Sequence, residues 1–121
     1  MNDRHELGRF GERVAAHRLE ASGMTVVARN VRTPGGEIDL VAHDGDDVVF
    51  VEVRTRRAAP GLAAESLGPP KLRRMWQCAM DYCEAAAIAP ERARVDVVSI
   101  DLGPGGQAAH VEHFRGIEIP G

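Results

Sequence analysis

Lysine is nearly missing from this chain. Of its 15 basic residues only Lys71 is one, so contacts to phosphate rest almost wholly on arginine forks. Cysteine is equally scarce. Cys78 and Cys83 are the only two, five residues apart in a helical pattern, a spacing that matches neither a zinc pair nor a redox Cys-x-x-Cys motif. They read as buried, reduced thiols in a reducing compartment. Long apolar runs are absent as well. Stretches such as 48–51 fall far short of a bilayer span, and the N-terminal stretch has no continuous apolar segment, which predicts a cytoplasmic chain with no membrane contact. Excess positive charge is lacking too: a net charge of −3 and a pI near 5.9 exclude a protein that coats nucleic acid by bulk electrostatics, leaving only local basic patches.

What is present suits one ordinary domain, residues 1–121. A chain of this size buries roughly 65% of the surface it exposes when unfolded, enough for a core without staples. The 44% hydrophobic and 27% charged residues match soluble usage. Leu7, Phe10, Val14 and Leu19 recur at near-helical spacing and predict a first helix over 4–22, ended by Gly23. A short strand over 24–29 follows, then a turn at Thr33-Pro34-Gly35-Gly36. Two further strands flank His43-Asp44-Gly45-Asp46-Asp47, which invites a hairpin. Residues 58–70 read as a loop, within which Pro69 and Pro70 open a second helix. The stripe Leu72, Met75, Trp76, Ala79, Met80 and Cys83 is its core face. A strand over 94–100 and an edge strand over 110–114 complete the chain. The order α-β-β-β-α-β-β predicts an α/β fold with a central mixed sheet flanked by helices.

The middle strands carry acids where apolar residues are expected. Strand alternation puts Glu37, Asp39 and Val41 on one face and Ile38, Leu40 and Ala42 on the other. In the next strand Phe50, Glu52, Arg54 and Arg56 oppose Val49, Val51 and Val53. Whether the acidic faces coincide depends on register. Two carboxylates about 4 Å apart repel by roughly 4 kcal/mol at an effective dielectric of 20, so a close pair needs a cation, a shared proton or an arginine. A divalent metal with oxygen ligands answers that need, and so does a structural ion pair with Arg54.

Taken in order, Gly8-x-x-Gly11-Glu12, Arg29-Asn30, Gly36-Glu37-Ile38-Asp39-Leu40, Phe50-Val51-Glu52-Val53-Arg54-Thr55-Arg56, Lys71 and Asp96-Val97-Val98 resemble the YraN, or UPF0102, family. Each piece is weak alone, but the ordered set is specific and covers nearly the whole chain. That family is similar in fold to the PD-(D/E)xK, restriction-endonuclease-like nucleases, and among them to archaeal Holliday-junction resolvases. The resemblance implies a magnesium or manganese cofactor held by Asp39, Glu52 and the carbonyl of Val53, with Glu12 completing the site. Glu37 is a reserve ligand, more simply read as solvated or arginine-paired. The motif lysine is Arg54 here. A guanidinium does not lose its proton, so Arg54 cannot be a general base, although it can grip a phosphate or orient water.

Arg56, Arg57, Lys71, Arg73 and Arg74 flank the site in sequence as a basic rim for a nucleic-acid backbone, or as a solvated face. For Lys71 the expectation is a phosphate contact or a surface charge rather than the missing motif lysine. His110 and His113 fall on opposite strand faces and make a poor metal pair. Gly8 and Gly11 point to close backbone packing. The resulting expectation is a metal-dependent, endonuclease-like protein acting on DNA, with branched or recombination intermediates as substrates that the resemblance alone suggests. The alternative is a catalytically inactive nucleic-acid-binding or interaction module that retains the nuclease fold. A third reading makes the acids arginine partners with no ligand. The edge strand over 110–114 is the one candidate surface for a homodimer.

Overall fold

The computed structural model describes residues 3–57 and 67–118. The elements run α1 (Asp3–Ala21), β1 (Thr25–Thr33), β2 (Gly36–Asp44), β3 (Asp47–Arg56), α2 (Pro69–Ala86), a short 3-10 turn (Pro90–Arg92), β4 (Ala93–Leu102) and β5 (Ala108–Phe114). This is the mixed α/β arrangement and element order expected. Most of the loop expected over 58–70 lies outside the described residues, and helix α2 begins at Pro69 as the paired prolines suggested.

The five strands lie in sequence order, β1-β2-β3-β4-β5, so β3 is central. All neighbours are antiparallel except β3 and β4, which are parallel and joined through α2. The β2–β3 hairpin closes with Asp44 opposite Asp47 around Gly45, whose φ of 59° suits a tight hairpin turn. The two helices cover opposite faces. Ala15, Ala16 and Leu19 of α1 pack on Leu40, Ala42, Val49, Val51, Val98 and Ile100. Met75, Cys78, Ala79 and Cys83 of α2 pack on Ile38, Val41, Val48, Phe50, Val95 and Val97. Both cysteines are buried and free. No helix among the described residues is long and apolar enough to cross a membrane.

Three differences from the sequence reading bear on the site. Strand β1 runs on through polar residues to Thr33, bulged between Val26 and Ala28 and carrying Asn30 at a φ of 51°. Short polar edge segments have no apolar alternation by which a sequence announces them. The second difference is in β2. Ile38 packs on the α2 face with Val41, whereas Leu40 and Ala42 pack on the α1 face, so strict alternation fails at Asp39. Asp39 therefore does not share a simple face with Glu37 and Val41. The third is the approach of α1 to β3: a Cβ at buried Gly11 would collide with Thr55 Oγ1. Gly11 thus sets the distance at which helix α1 meets the strand that carries Glu52.

Candidate functional site

The break in β2 has a direct cause at β3. Backbone pairing runs from Asp44 opposite Asp47 to Leu40 opposite Val51 and ends there. One residue beyond, the Val53 N–H donates to Asp39 Oδ2 at 2.8 Å, so the carboxylate engages the β3 backbone where strand pairing has stopped. This register puts Asp39 next to Glu52, which settles the question that alternation alone left open. The two carboxyls lie within hydrogen-bonding reach of one another.

Glu52 projects from the α2 face of β3 and is 8% exposed. Glu12 comes from α1, on the opposite side of the sheet, and Asp39 feels both. Burial, then the charge of Glu52 and more weakly that of Glu12, push the Asp39 carboxyl from the ordinary 3.8 up to about 7, against the opposing hydrogen bond from Val53. Asn30 fixes the third acid by donating from Nδ2 to Glu12 Oε1 at 3.1 Å. The left-handed backbone of Asn30 is tolerated because asparagine visits that region at little penalty. Sequence reasoning listed Arg29-Asn30 only as part of a pattern. Its signal was an amide side chain just past an expected strand end, close in space to the helix-one acid.

Lys71 meets the acids directly. Its Nζ lies 3.1 Å from Glu52 Oε1, while Arg54 Nη1 stands at 3.9 Å from the same oxygen. Lys71 is thus an inward member of the acidic site and not only a rim charge, because the first turn of α2 packs beside the end of β3. Arg73 and Arg74 of the proposed rim are exposed on α2, and Arg56 is exposed at the end of β3. The aliphatic stem of Arg74 runs past Gly36, at the start of the Asp39 strand. Arg56 and Arg73 thus stand as surface charges.

As donors for a hard cation, Asp39, Glu52 and the Val53 carbonyl form a suitable set. In an extended strand a residue's C=O points to the same side as its N–H, so the Val53 carbonyl faces the gap that its N–H shares with Asp39. Among the described residues no three His, Cys, Asp or Glu side chains converge closely enough to hold an ion by themselves. The carbonyl and solvent would have to complete the coordination, as magnesium commonly permits. The elevated Asp39 pKa is the mark of an acidic pair whose Glu52 member meets Lys71 and Arg54.

His113 and His110 do not pair with one another. His113 Nε2 lies 2.7 Å from Asp96 Oδ2, and His110 contacts Glu112. Asp96 is fully buried and also takes Arg94 Nε at 3.0 Å and the Gly116 N–H at 3.0 Å. This is a structural lock that ties β5 and the following turn to β4. Burial alone would raise the Asp96 carboxyl, but His113, Arg94 and Gly116 together hold it below the ordinary range.

The fold and site define an α/β protein with a cluster of carboxylates where two central strands part, flanked by one lysine and one arginine. The profile of the uncharacterised protein family UPF0102 matches residues 11–100, and the chain belongs to that family. It is similar to UPF0102 proteins of Beutenbergia cavernae, 46% identical over 121 residues with 97% of this chain and 99% of the relative covered, and of Kineococcus radiotolerans, 43% over 113 residues with 92% of each covered. A UPF0102 protein of Dichelobacter nodosus is 50% identical over 94 residues, covering 77% of this chain and 75% of its own length. The match spans Glu12, Asp39, Glu52, Arg54 and Lys71.

Proposed function

We propose that this chain is a divalent-metal-dependent phosphodiesterase acting on DNA. The observation that carries the reading is the convergence of Asp39 and Glu52 at a gap in the sheet, with Glu12 held toward them by Asn30. A bound magnesium or manganese ion would supply a water of lowered pKa and electrostatic stabilisation of the leaving oxygen. Asp39, Glu52 and the Val53 carbonyl are the groups that would hold it, with Glu12 placed to orient water beside it. Arg54 is a permanent cation and serves by gripping a phosphate oxygen. Lys71 is a second cation at the site, seated against Glu52 on the side from which α2 approaches. In this reading it adds a second hold on the phosphate, reaching the site from helix α2. Branched or recombination intermediates are the substrates to examine first.

A second reading keeps the fold and nucleic-acid binding but not the chemistry. The contacts of Glu52 with Lys71 at 3.1 Å and Arg54 at 3.9 Å favour it, since they already neutralise one of the two ligands. Magnesium- and manganese-dependent cleavage of linear, flapped and four-way DNA separates the two. Cleavage by the wild type, abolished by Asp39→Ala and reduced at least tenfold by Lys71→Met, supports the first. Binding without cleavage, together with activity created by Arg54→Lys, supports the second.

A further inference from the structure

A second charged feature lies away from the carboxylates. Arg9 and Arg13, one turn apart on α1, and Arg57, just past the end of β3, line an open recess of about 440 Å³ whose floor includes Phe10 and whose far wall is Gly106 of the β4–β5 turn. All three arginines are exposed, and none has an ion-pair partner among the described residues. Glu6 is the one acid in the lining, so the recess keeps an excess of two positive charges on a chain whose net charge is −3. Such a concentration of guanidinium forks on an acidic protein attracts phosphate, which it can grip with bidentate bonds.

The recess shares helix α1 with Glu12 of the acidic site, whereas Glu52 lies on the opposite, α2 face of the sheet. Glu12 lies between Arg9 and Arg13 in sequence, on the neighbouring stripe of the same helix, and Arg57 lies five residues along β3 from Glu52. We infer that Arg9, Arg13 and Arg57 form a phosphate-binding groove for a nucleic-acid backbone. The inference rests on the nucleic-acid reading above and extends it by giving the path of the strand. That path runs over α1 and the β4–β5 turn, on the opposite side of the sheet from Arg73 and Arg74. Composition hid it, because Arg9 and Arg13 sit among acids in a helix of balanced charge.

The test is fluorescence anisotropy of labelled duplex DNA in EDTA, with salt varied between 50 and 200 mM, a span over which phosphate contacts weaken binding steeply. Each lost contact lowers the slope of log affinity against log salt by about 0.9. The triple variant Arg9→Gln, Arg13→Gln, Arg57→Gln is expected to lose about two to three in slope. The triple lysine variant keeps the slope, and unchanged thermal melting shows that both variants fold. Wild-type cleavage failing while the arginine effect persists would sink the nuclease reading and spare the groove. An unchanged slope in the glutamine variant overturns the groove. Equal arginine-dependent binding of inorganic tripolyphosphate, with no gain for DNA, overturns the nucleic-acid assignment.

Discussion

Replacing Asp39 with asparagine removes one of two facing carboxyls while keeping its shape and an oxygen to accept the Val53 N–H. Without metal, the folded protein holds a proton on Asp39 up to about pH 7, whereas the unfolded chain releases it near 3.8. The folded state therefore binds more protons across that window, and wild-type stability falls as pH rises through it. Asparagine has no such slope. A raise of about three units, at 1.36 kcal/mol each, sets a ceiling of about 4 kcal/mol for the relief above pH 7. Partial exposure of Asp39 and the weaker bond from a neutral acceptor to Val53 reduce it to about 1–3 kcal/mol. Thermal melts in EDTA should show Asp39→Asn level with wild type near pH 4 and more stable at pH 8. Saturating manganese reverses the order, because a ligand at about 100 times its Kd adds about 2.7 kcal/mol to a protein that binds it. A variant less stable than wild type at pH 8 in EDTA, or equal manganese stabilisation of both, would refute the reasoning.

The remaining predictions concern the supports of the site. Asp96→Asn leaves Arg94 and His113 facing a neutral partner in a fully buried position and should cost about 3–5 kcal/mol, read by urea unfolding at pH 7. Since the folded Asp96 pKa is depressed, its contribution is complete above the ordinary 3.8 and is lost as pH falls through the lower folded value, so wild type and variant should converge in acid. Asn30→Gly keeps the left-handed backbone but drops the bond to Glu12, so metal affinity should fall severalfold with stability changed by less than about 1 kcal/mol, by calorimetric titration and melting. Gly11→Ala should destabilise by about 1–3 kcal/mol through collision with Thr55, and Thr55→Ala should recover much of that loss in the double variant.

The apolar periodicities made most of the fold legible. Leu7, Phe10, Val14 and Leu19 marked α1, the Leu72 to Cys83 stripe marked α2, and the runs around Val49 and Val97 marked strands that both helices cover. Glycine and proline placed the turns, since few other residues fit them. Asp39 and Glu52 stood out because carboxylates in buried strands need compensation. What eluded sequence reasoning was three-dimensional in origin. The meeting of Asp39 with Glu52 depends on cross-strand register, and the in-plane turn of Asp39 toward Val53 breaks the alternation on which face assignments rely. Lys71 looked like a rim charge because nothing in its neighbourhood along the chain says that α2 starts beside Glu52. Asn30 and Asp96 act through partners 18 and 17 residues away, beyond any local pattern.

Anomalous diffraction from crystals soaked in manganese measures the central claim most directly. The account predicts one strong peak coordinated at about 2.2 Å by Asp39 and Glu52, with the Val53 carbonyl as a further ligand and no such peak in Asp39→Asn crystals. No peak at saturating manganese, with Lys71 still seated against Glu52, would contradict it.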